Sequence, residues 1–565
     1  MNTNNFDSLA IQKQKQILKK SAYDQKADLI LHSRDPEQLV RQMSGEELLL
    51  ILIEGRNDRL KDLIIYANNE QLQFLCDMQC WEHERIEKDR FLGWLDDLIE
   101  ADPDKLAEWL SITDVEMLIA AYANVVRVIK APPADEAVPE EFLDNDDQFF
   151  TLDRFYYVSA EQHQLDTIKR SIEMLFSSSP SLYMNLMEGI MSALHDEMEE
   201  TAYQQRQNRL SASGFSETEE AHRIYRVLSQ EEWESVPVKE TDSEEPYFQE
   251  ETESINPNFL SLWEGDRLFL DDALALLSKE PESFHETVRM ELASLTNKII
   301  ATEGISFNNS RKLKDQAERV RRYINIGLEE RSQSDVLYAA DLLKTRWLED
   351  IFRWGHSLLV TLRKKAERVF KSNNAGLESE QVFSLLDKPY CYFFRGMVKK
   401  HPQIFDPSVT SNTYHLRDPR HYRELMMAHQ LLVEIEAAFR VFKIAPFDKW
   451  QDKTREKLMN LPPSEISIGQ IVMTVLARTF LGLSSEVTPL SSIELAKFFT
   501  DGFHSGPPRR LRDEIKLHLQ DWDGIDVETM EYLSNAISLH ESELAEIDPL
   551  THNDPRFIQG ILVYL

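Results

Sequence analysis

Glycine is scarce in this chain, with 17 in 565 residues. So few leave little material for the turns of an all-β fold or for loops that cradle phosphates. No GxxxxGK[ST], GxGxxG, GxSxG or HExxH occurs, which argues against enzymes built on those motifs. Cysteine is scarcer still. Cys76, Cys80 and Cys391 are odd in number and too few to staple a chain of this length, which points to a reducing compartment, so a cytoplasmic location is expected. Long apolar runs are missing as well. The opening MNTNNFDSLAIQKQKQILKK has no apolar core of signal-peptide length. The best membrane-span candidate, 466–483, contains Gln470, Thr474, Arg478 and Thr479 and reads as a buried core helix, so no transmembrane segment is expected.

What is present is apolar material (42%) and acid, with a formal net charge of −35. Leu, Glu, Ala and Ile are abundant, so long helices are favoured over β architecture. A surface this acidic repels polyanions, which weighs against general nucleic-acid binding. The charge is uneven. Residues 130–150 hold seven acidic residues against one Lys, and 229–256 hold ten against one Lys, whereas 344–371 carry eight basic and three acidic residues.

Two stretches nearly repeat. Asp35-Pro36-x-x-Leu39 leads to Met43-Ser44, and Asp102-Pro103-x-x-Leu106 leads to Leu110-Ser111. In each, Asp is placed to cap a helix, Pro occupies the first helical position and Leu starts the apolar face. The stripe resumes as Leu48, Ile51, Leu52 and as Val115, Leu118, Ile119, one helix face in each case. Ser44-x-x-Glu47 and Thr113-x-x-Glu116 have capping-box spacing. The expected fold is therefore mainly α, with stacked helical hairpins in an armadillo-like N-terminal block, further helical bundles and a minor β-hairpin near 149–158. That hairpin is read from the aromatic run FFTLDRFYYV. The expected organisation is a helical-repeat domain at 1–130 and an acidic linker at 131–148. A central helical domain at 149–405 carries an acidic mobile loop at 229–256, and a C-terminal helical domain spans 406–565. A single helix is expected over 180–210, and another over 336–370 that is either very long or broken near Gly355. The apolar C-terminal end is expected to dock on the rest.

The phrases LVRQMSGEELLLILIEG, NNEQLQFLCDMQCW, FFTLDRFYYV, LYMNLMEGI, RRYINIGLE and DPRFIQG, in this order, resemble an uncharacterised bacterial family classed as a domain of unknown function, known mainly from sulfate- and metal-reducing bacteria. The resemblance covers the whole chain and implies no activity. The N-terminal block also resembles the helical hairpins of the cytosolic domain of magnesium channels and of the flagellar motor switch protein, at the level of pattern.

Metal chemistry has two sets of candidates. Cys76, Cys80 and His83 fall on one helix face and suit zinc, but three groups on one straight helix cannot close a tetrahedron unaided. Glu219-x-x-His222 and Glu282-x-x-His285 have the spacing of di-iron bundles, with Glu188 and Glu199 available as further carboxylates. With 98 acidic residues and 15 His in 565 positions, two or three such pairs arise by chance, and the chain has four. Structural roles are the simpler reading, so no metal, cofactor or catalytic residue is assigned. His195 and Glu199, one turn apart, read as a polar helix face. The basic face of Arg363, Lys364, Lys365, Arg368 and Lys371 lies downstream of Trp347, Phe352 and Trp354. It could meet nucleic acid or an anionic membrane, or the chain's own acidic segments. The expectation is a non-enzymatic cytoplasmic scaffold or regulatory protein acting through a protein partner. The alternative is a metal-dependent enzyme with a His/Glu site in the central helices.

Overall fold

The computed structural model describes residues 6–564 except 7–8, 10, 22, 55–59, 83, 132–146, 193–194, 213–220, 240–265, 304–309, 374–378, 406–415, 444–459, 463–464, 503–524, 546, 548–553 and 555–556. It is mainly helical with a few short antiparallel strand pairs. The N-terminal helices are α1 (Ile11–Lys20), α2 (Tyr23–Leu31), α3 (Pro36–Arg41), α4 (Gly45–Glu54), α5 (Asn69–Gln79), α6 (Lys88–Ala101), α7 (Pro103–Ile112) and α8 (Val115–Ala123). α9 (Leu165–Ser178), α10 (Pro180–Met191), α11 (His195–Ala212) and α12 (Gln230–Ser235) follow. Next come α13 (Phe269–Leu276), α14 (Glu282–Thr302), α15 (Ser310–Ser332), α16 (Val336–Thr345) and α17 (Leu348–Asn373). The last are α18 (Ser379–Ser384), α19 (Tyr390–Met397), α20 (Tyr422–Arg440), α21 (Ile468–Phe480), α22 (Ser492–Gly502) and α23 (Val527–Ala545).

Capping chemistry sets the repeat starts. An Asp35 carboxylate oxygen accepts from the Gln38 amide at 3.0 Å and an Asp102 oxygen from the Asp104 amide at 2.9 Å, each ahead of a Pro at the first helical turn. The second expected capping box does not form. Ser44 accepts from the Glu47 amide at 3.1 Å, but the Thr113 hydroxyl turns back to the Trp109 carbonyl at 2.7 Å. Leu39, Leu48, Ile51, Leu106 and Leu118 are buried, and Val115 is half-buried.

The aromatic run forms the expected hairpin, β2 (Asp147–Phe150) with β3 (Tyr156–Glu161), and β1 (Arg127–Lys130) joins the other edge of β3. Val158 pairs with Val128 on one side and Phe150 on the other. The helix expected over 180–210 is two helices, because Ser192 takes an extended backbone and bonds the Gly189 carbonyl through its hydroxyl. The 336–370 helix breaks at Arg346, whose backbone is extended, and runs unbroken through Gly355. That glycine meets α15. A Cβ at Gly355 would stand 2.0 Å from the Tyr323 carbonyl oxygen, and one at Gly327 would stand 2.3 Å from that of Ile351. The two helices therefore cross backbone to backbone.

The stretch expected to be mobile from residue 229 begins as α12, with a complete Ser229/Glu232 capping box. Its Trp233 is buried against Trp354, with the Arg331 and Arg346 guanidinium groups 4.9 and 5.2 Å from its ring. Residues 240–256 lie outside the described residues. The apolar end docks as expected, since Ile558, Ile561, Leu562 and Val563 are buried and Val563 bridges Leu490. α21, the membrane-span candidate, is a 13-residue core helix. No helix among the described residues is long and apolar enough to cross a membrane.

Candidate functional site

α17 serves two cores. Leu348, Ile351, Phe352 and Leu359 belong to the central one, while Leu362, Ala366 and Val369 belong to the C-terminal one. The cations of its first half and of the preceding turn are engaged. Lys344 pairs with Glu280 at 2.5 Å, Arg346 donates to the Val236 carbonyl at 2.6 Å, and Arg353 pairs with Asp350 at 3.5 Å. Of the aromatics upstream of the basic face, Phe352 and Trp354 are buried and Trp347 is half-buried. The second half differs. Lys364, Lys365, Arg368 and Lys371 recur at helical spacing, are exposed, and have no ion-pair or hydrogen-bond partner among the described residues. Arg363, next to them, pairs with Glu367 at 3.2 Å and donates to the Lys400 carbonyl at 3.0 Å.

α20 lies beside this row. Its inner face is Leu425, Ala428, Leu432, Ile435 and Ala438, yet apolar side chains also lie on its outer face. Met426 is 52%, Met427 60% and Val433 43% exposed. Met426, His429 and Val433 sit at i, i+3 and i+7, one stripe of the helix. α17 and α20 share the C-terminal core, Leu362 and Ala366 from the one and Ala428 and Leu432 from the other, and burial, then the positive charge of Lys365, lowers the His429 pKa. The result is a row of cations without partners among the described residues on α17 and an exposed apolar stripe on the neighbouring α20.

Three further polar sites lie elsewhere in the molecule. Between α14, α15 and α17, His401 links the Tyr323 hydroxyl at 3.3 Å to Glu303 at 3.3 Å, and Lys400 adds a bond to Glu303 at 2.9 Å. Burial alone would raise Glu303, but His401 and Lys400 outweigh it and bring the pKa to about 2. His356 lies 4.9 Å from the Tyr225 ring and 6.0 Å from that of Tyr323. Burial, then the positive charge of His401 and Arg363, brings its pKa down to about 4. A cavity of about 290 Å³ nearby is lined by Glu291, Lys298, Trp347, Glu349 and Asp350 among others. Burial raises the Glu291 and Asp350 carboxyls. Its groups are already matched in pairs, Lys239 with Glu291 at 2.6 Å and Lys298 with Glu349 at 2.8 Å. The third site joins Asp387, Ser467 and His540, residue types that suggest a hydrolase triad. The geometry differs from one. Ser467 and the His540 Nε2 both converge on Asp387 Oδ1, at 2.5 and 2.6 Å, the Ser467 hydroxyl stands 3.5 Å from that same Nε2, and Nδ1 faces Glu543 at 3.0 Å. In a triad the serine donates to an unprotonated imidazole nitrogen, whereas Ser467 donates to Asp387 and the effect of burial on His540 is outweighed by Asp387 and Glu543, which bring its pKa to about 9 and keep the imidazole protonated at neutral pH.

The sequence candidates fare differently. Cys76 and Cys80 are brought together, sulfur to sulfur 3.5 Å, and both are fully buried; His83 lies outside the described residues. Glu219 also lies outside them. His222 is exposed on a short 3-10 turn, and His285, in the first turn of α14, sits beside the Phe284 ring. Glu282 begins that helix. Glu188 serves the sheet, accepting from Tyr156 at 2.6 Å and pairing with Lys130 at 2.9 Å. Among the described residues no group of three or more His, Cys, Asp or Glu is placed to hold a metal ion. The basic row of α17 was legible as charge in sequence. The Met426-Val433 stripe was missed, although its i, i+3, i+7 spacing outside the main apolar face was a usable signal.

A family model described as a family of unknown function (DUF6178) matches residues 3–564. Neither the curated proteins nor the solved structures contain a match. The chain belongs to that family of unknown function.

Proposed function

We propose that this member of a family of unknown function is a non-enzymatic scaffold or regulatory protein of the cytoplasm, acting by binding another protein through the α17/α20 face. The observation that carries this reading is the pairing of four unpartnered cations on α17 with the exposed Met426, Met427 and Val433 of α20. Exposed apolar side chains rimmed by charge mark contact surfaces. Isolated exposed apolar residues would carry no such meaning, but Met426 and Val433 share one stripe of α20, and the neighbouring helix carries the cations. The free thiols of Cys76, Cys80 and Cys391 support a reducing compartment.

The test is co-purification from the native cell with the wild-type chain and with a Met426→Glu/Val433→Glu variant as baits. A protein retained by the first and lost from the second supports the reading, and identical captures from both remove it. Elemental analysis tests the competing metal-dependent enzyme. One equivalent of zinc or iron in protein purified without added metal would put that reading ahead.

A further inference from the structure

We infer that the α17/α20 face receives an acidic amphipathic helix of a partner protein. The inference rests on the interaction reading above and adds the chemistry of what is bound. Lys364 to Lys371 covers two helical turns, about 10 Å along the axis, and offers four ammonium or guanidinium groups without partners among the described residues. The two helices pack in one core through Leu362 and Ala366 of α17 and Ala428 and Leu432 of α20. By helical spacing Met426 and Val433 share the His429 stripe of α20, and Arg368 lies one turn from Lys365 on α17, all four side chains being exposed.

A helix laid on this face would set apolar residues at i, i+3 or i+4 and i+7 over Met426 and Val433, with carboxylates on one flank reaching the cations. Methionine suits such a surface because its unbranched thioether adapts to the contour of what it meets. Nucleic acid fits less well. The face has no exposed aromatic platform, Phe352 and Trp354 being buried, and a polyanion would meet the field of a chain with net charge −35. An anionic membrane meets the same field over a much larger area. A short acidic helix carries only a few charges, so the local cations can outweigh the repulsion it meets.

The test uses the full chain and a fluorescent 18-residue peptide of Leu and Glu, patterned as an amphipathic helix. Controls are a peptide of the same composition with the apolar stripe scrambled, a duplex DNA, and vesicles containing phosphatidylserine. The expected result is binding of the patterned peptide alone, weakened at least tenfold by Lys365→Glu/Arg368→Glu and also by Met426→Ala/Val433→Ala, and more weakly held as salt rises. These side chains are largely exposed, and unchanged melting of each variant confirms that it folds. Equal binding to wild type and both variants, or equal binding of the scrambled peptide, overturns the inference. So does DNA or vesicle binding that depends on Lys365 and Arg368 in place of peptide binding. If no peptide binds while the native co-purification still loses a protein on Met426→Glu/Val433→Glu, the partner chemistry fails and the interaction reading stands. Loss of both results removes the two together.

Discussion

The His540 Nε2 lies 2.6 Å from Asp387 Oδ1, and both side chains are almost wholly buried. Asp387 also accepts from Ser467, from the Gly469 amide at 2.9 Å and from the Tyr532 hydroxyl at 2.7 Å. One carboxylate thus ties the start of α21 to α23. Burial alone would lower His540, but Asp387 and Glu543 raise it to about 9. Burial alone would raise Asp387, yet its hydrogen bonds with His540, Ser467 and Tyr532 hold it below the usual value. The imidazole is therefore charged at neutral pH. The stability it contributes is complete below its unfolded pKa near 6.5 and is lost as pH rises through about 9. The Asp387 contribution is complete above its unfolded pKa near 3.8 and is lost as pH falls below it. Melting temperature should accordingly decline between pH 6.5 and 9. His540→Gln should cost about 3–5 kcal/mol at pH 6 and flatten that decline. A variant that melts like wild type at pH 6 would show that the pair holds nothing.

Arg209 of α11 clasps two acids from elsewhere in the chain, Asp77 of α5 and Asp114 at the start of α8. Asp77 is 1% exposed, and burial raises its pKa despite the guanidinium. Removing the cation strands that carboxyl. Arg209→Ala should destabilise by roughly 3 kcal/mol at pH 7, less at pH 4 where Asp77 can protonate. Chemical denaturation at both pH values checks this, and a cost independent of pH would assign the loss to packing of the Arg stem instead.

Local structure was legible where local chemistry decides it. Asp35-Pro36 and Asp102-Pro103 start helices in the structure as in sequence, because cap and proline act within one turn. The aromatic 149–158 run pairs as a hairpin, but its third strand at Arg127–Lys130 was invisible, since four residues carry too little pattern. The 336–370 stretch reads as one very long helix or as one broken near Gly355, and the break falls instead at Arg346, because a glycine reads as a helix stop when its neighbour across space is unknown. Thr113 likewise had the spacing of a cap but spends its hydroxyl on Trp109. The basic half of the candidate surface could be read from Lys364, Lys365, Arg368 and Lys371. Which of the chain's cations remain unpaired depends on long-range partners such as Glu280 for Lys344, which sequence spacing does not encode.

The Gly327–Gly355 crossing gives a sharp mutational expectation. Backbone atoms stand 2.0 and 2.3 Å from where a Cβ would be, and backbone cannot swing aside as a side chain can. Gly355→Ala must push α17 off α15 and with it the Tyr323–Phe352 stack at 5.5 Å. A loss of about 3 kcal/mol or more is expected, against the gain near 1 kcal/mol that alanine brings in an unobstructed helix. Gly93→Ala on α6, where nothing lies within 4 Å, is the control and should be neutral or stabilising. Equal thermal shifts for the two would mean that the helices do not touch there.

Glu46 tests burial without compensation. It sits in the first turn of α4, is 3% exposed, and neither carboxyl oxygen has a hydrogen-bond partner among the described residues. Burial raises its pKa well above the ordinary value, against the pull of the helix N-terminus, which favours the anion. The sign follows from linkage. An acid whose folded pKa exceeds its unfolded one contributes fully below the unfolded value near 4.5 and loses that contribution as pH rises through the folded value. Glu46→Gln keeps the shape of the neutral acid at every pH. It should match wild type at pH 4.5 and exceed it by about 1 kcal/mol or more at pH 8, each pKa unit being worth about 1.4 kcal/mol. Urea denaturation across that range reads the difference. A gap that stays constant with pH would show that Glu46 is ionised in the folded chain and therefore has a partner.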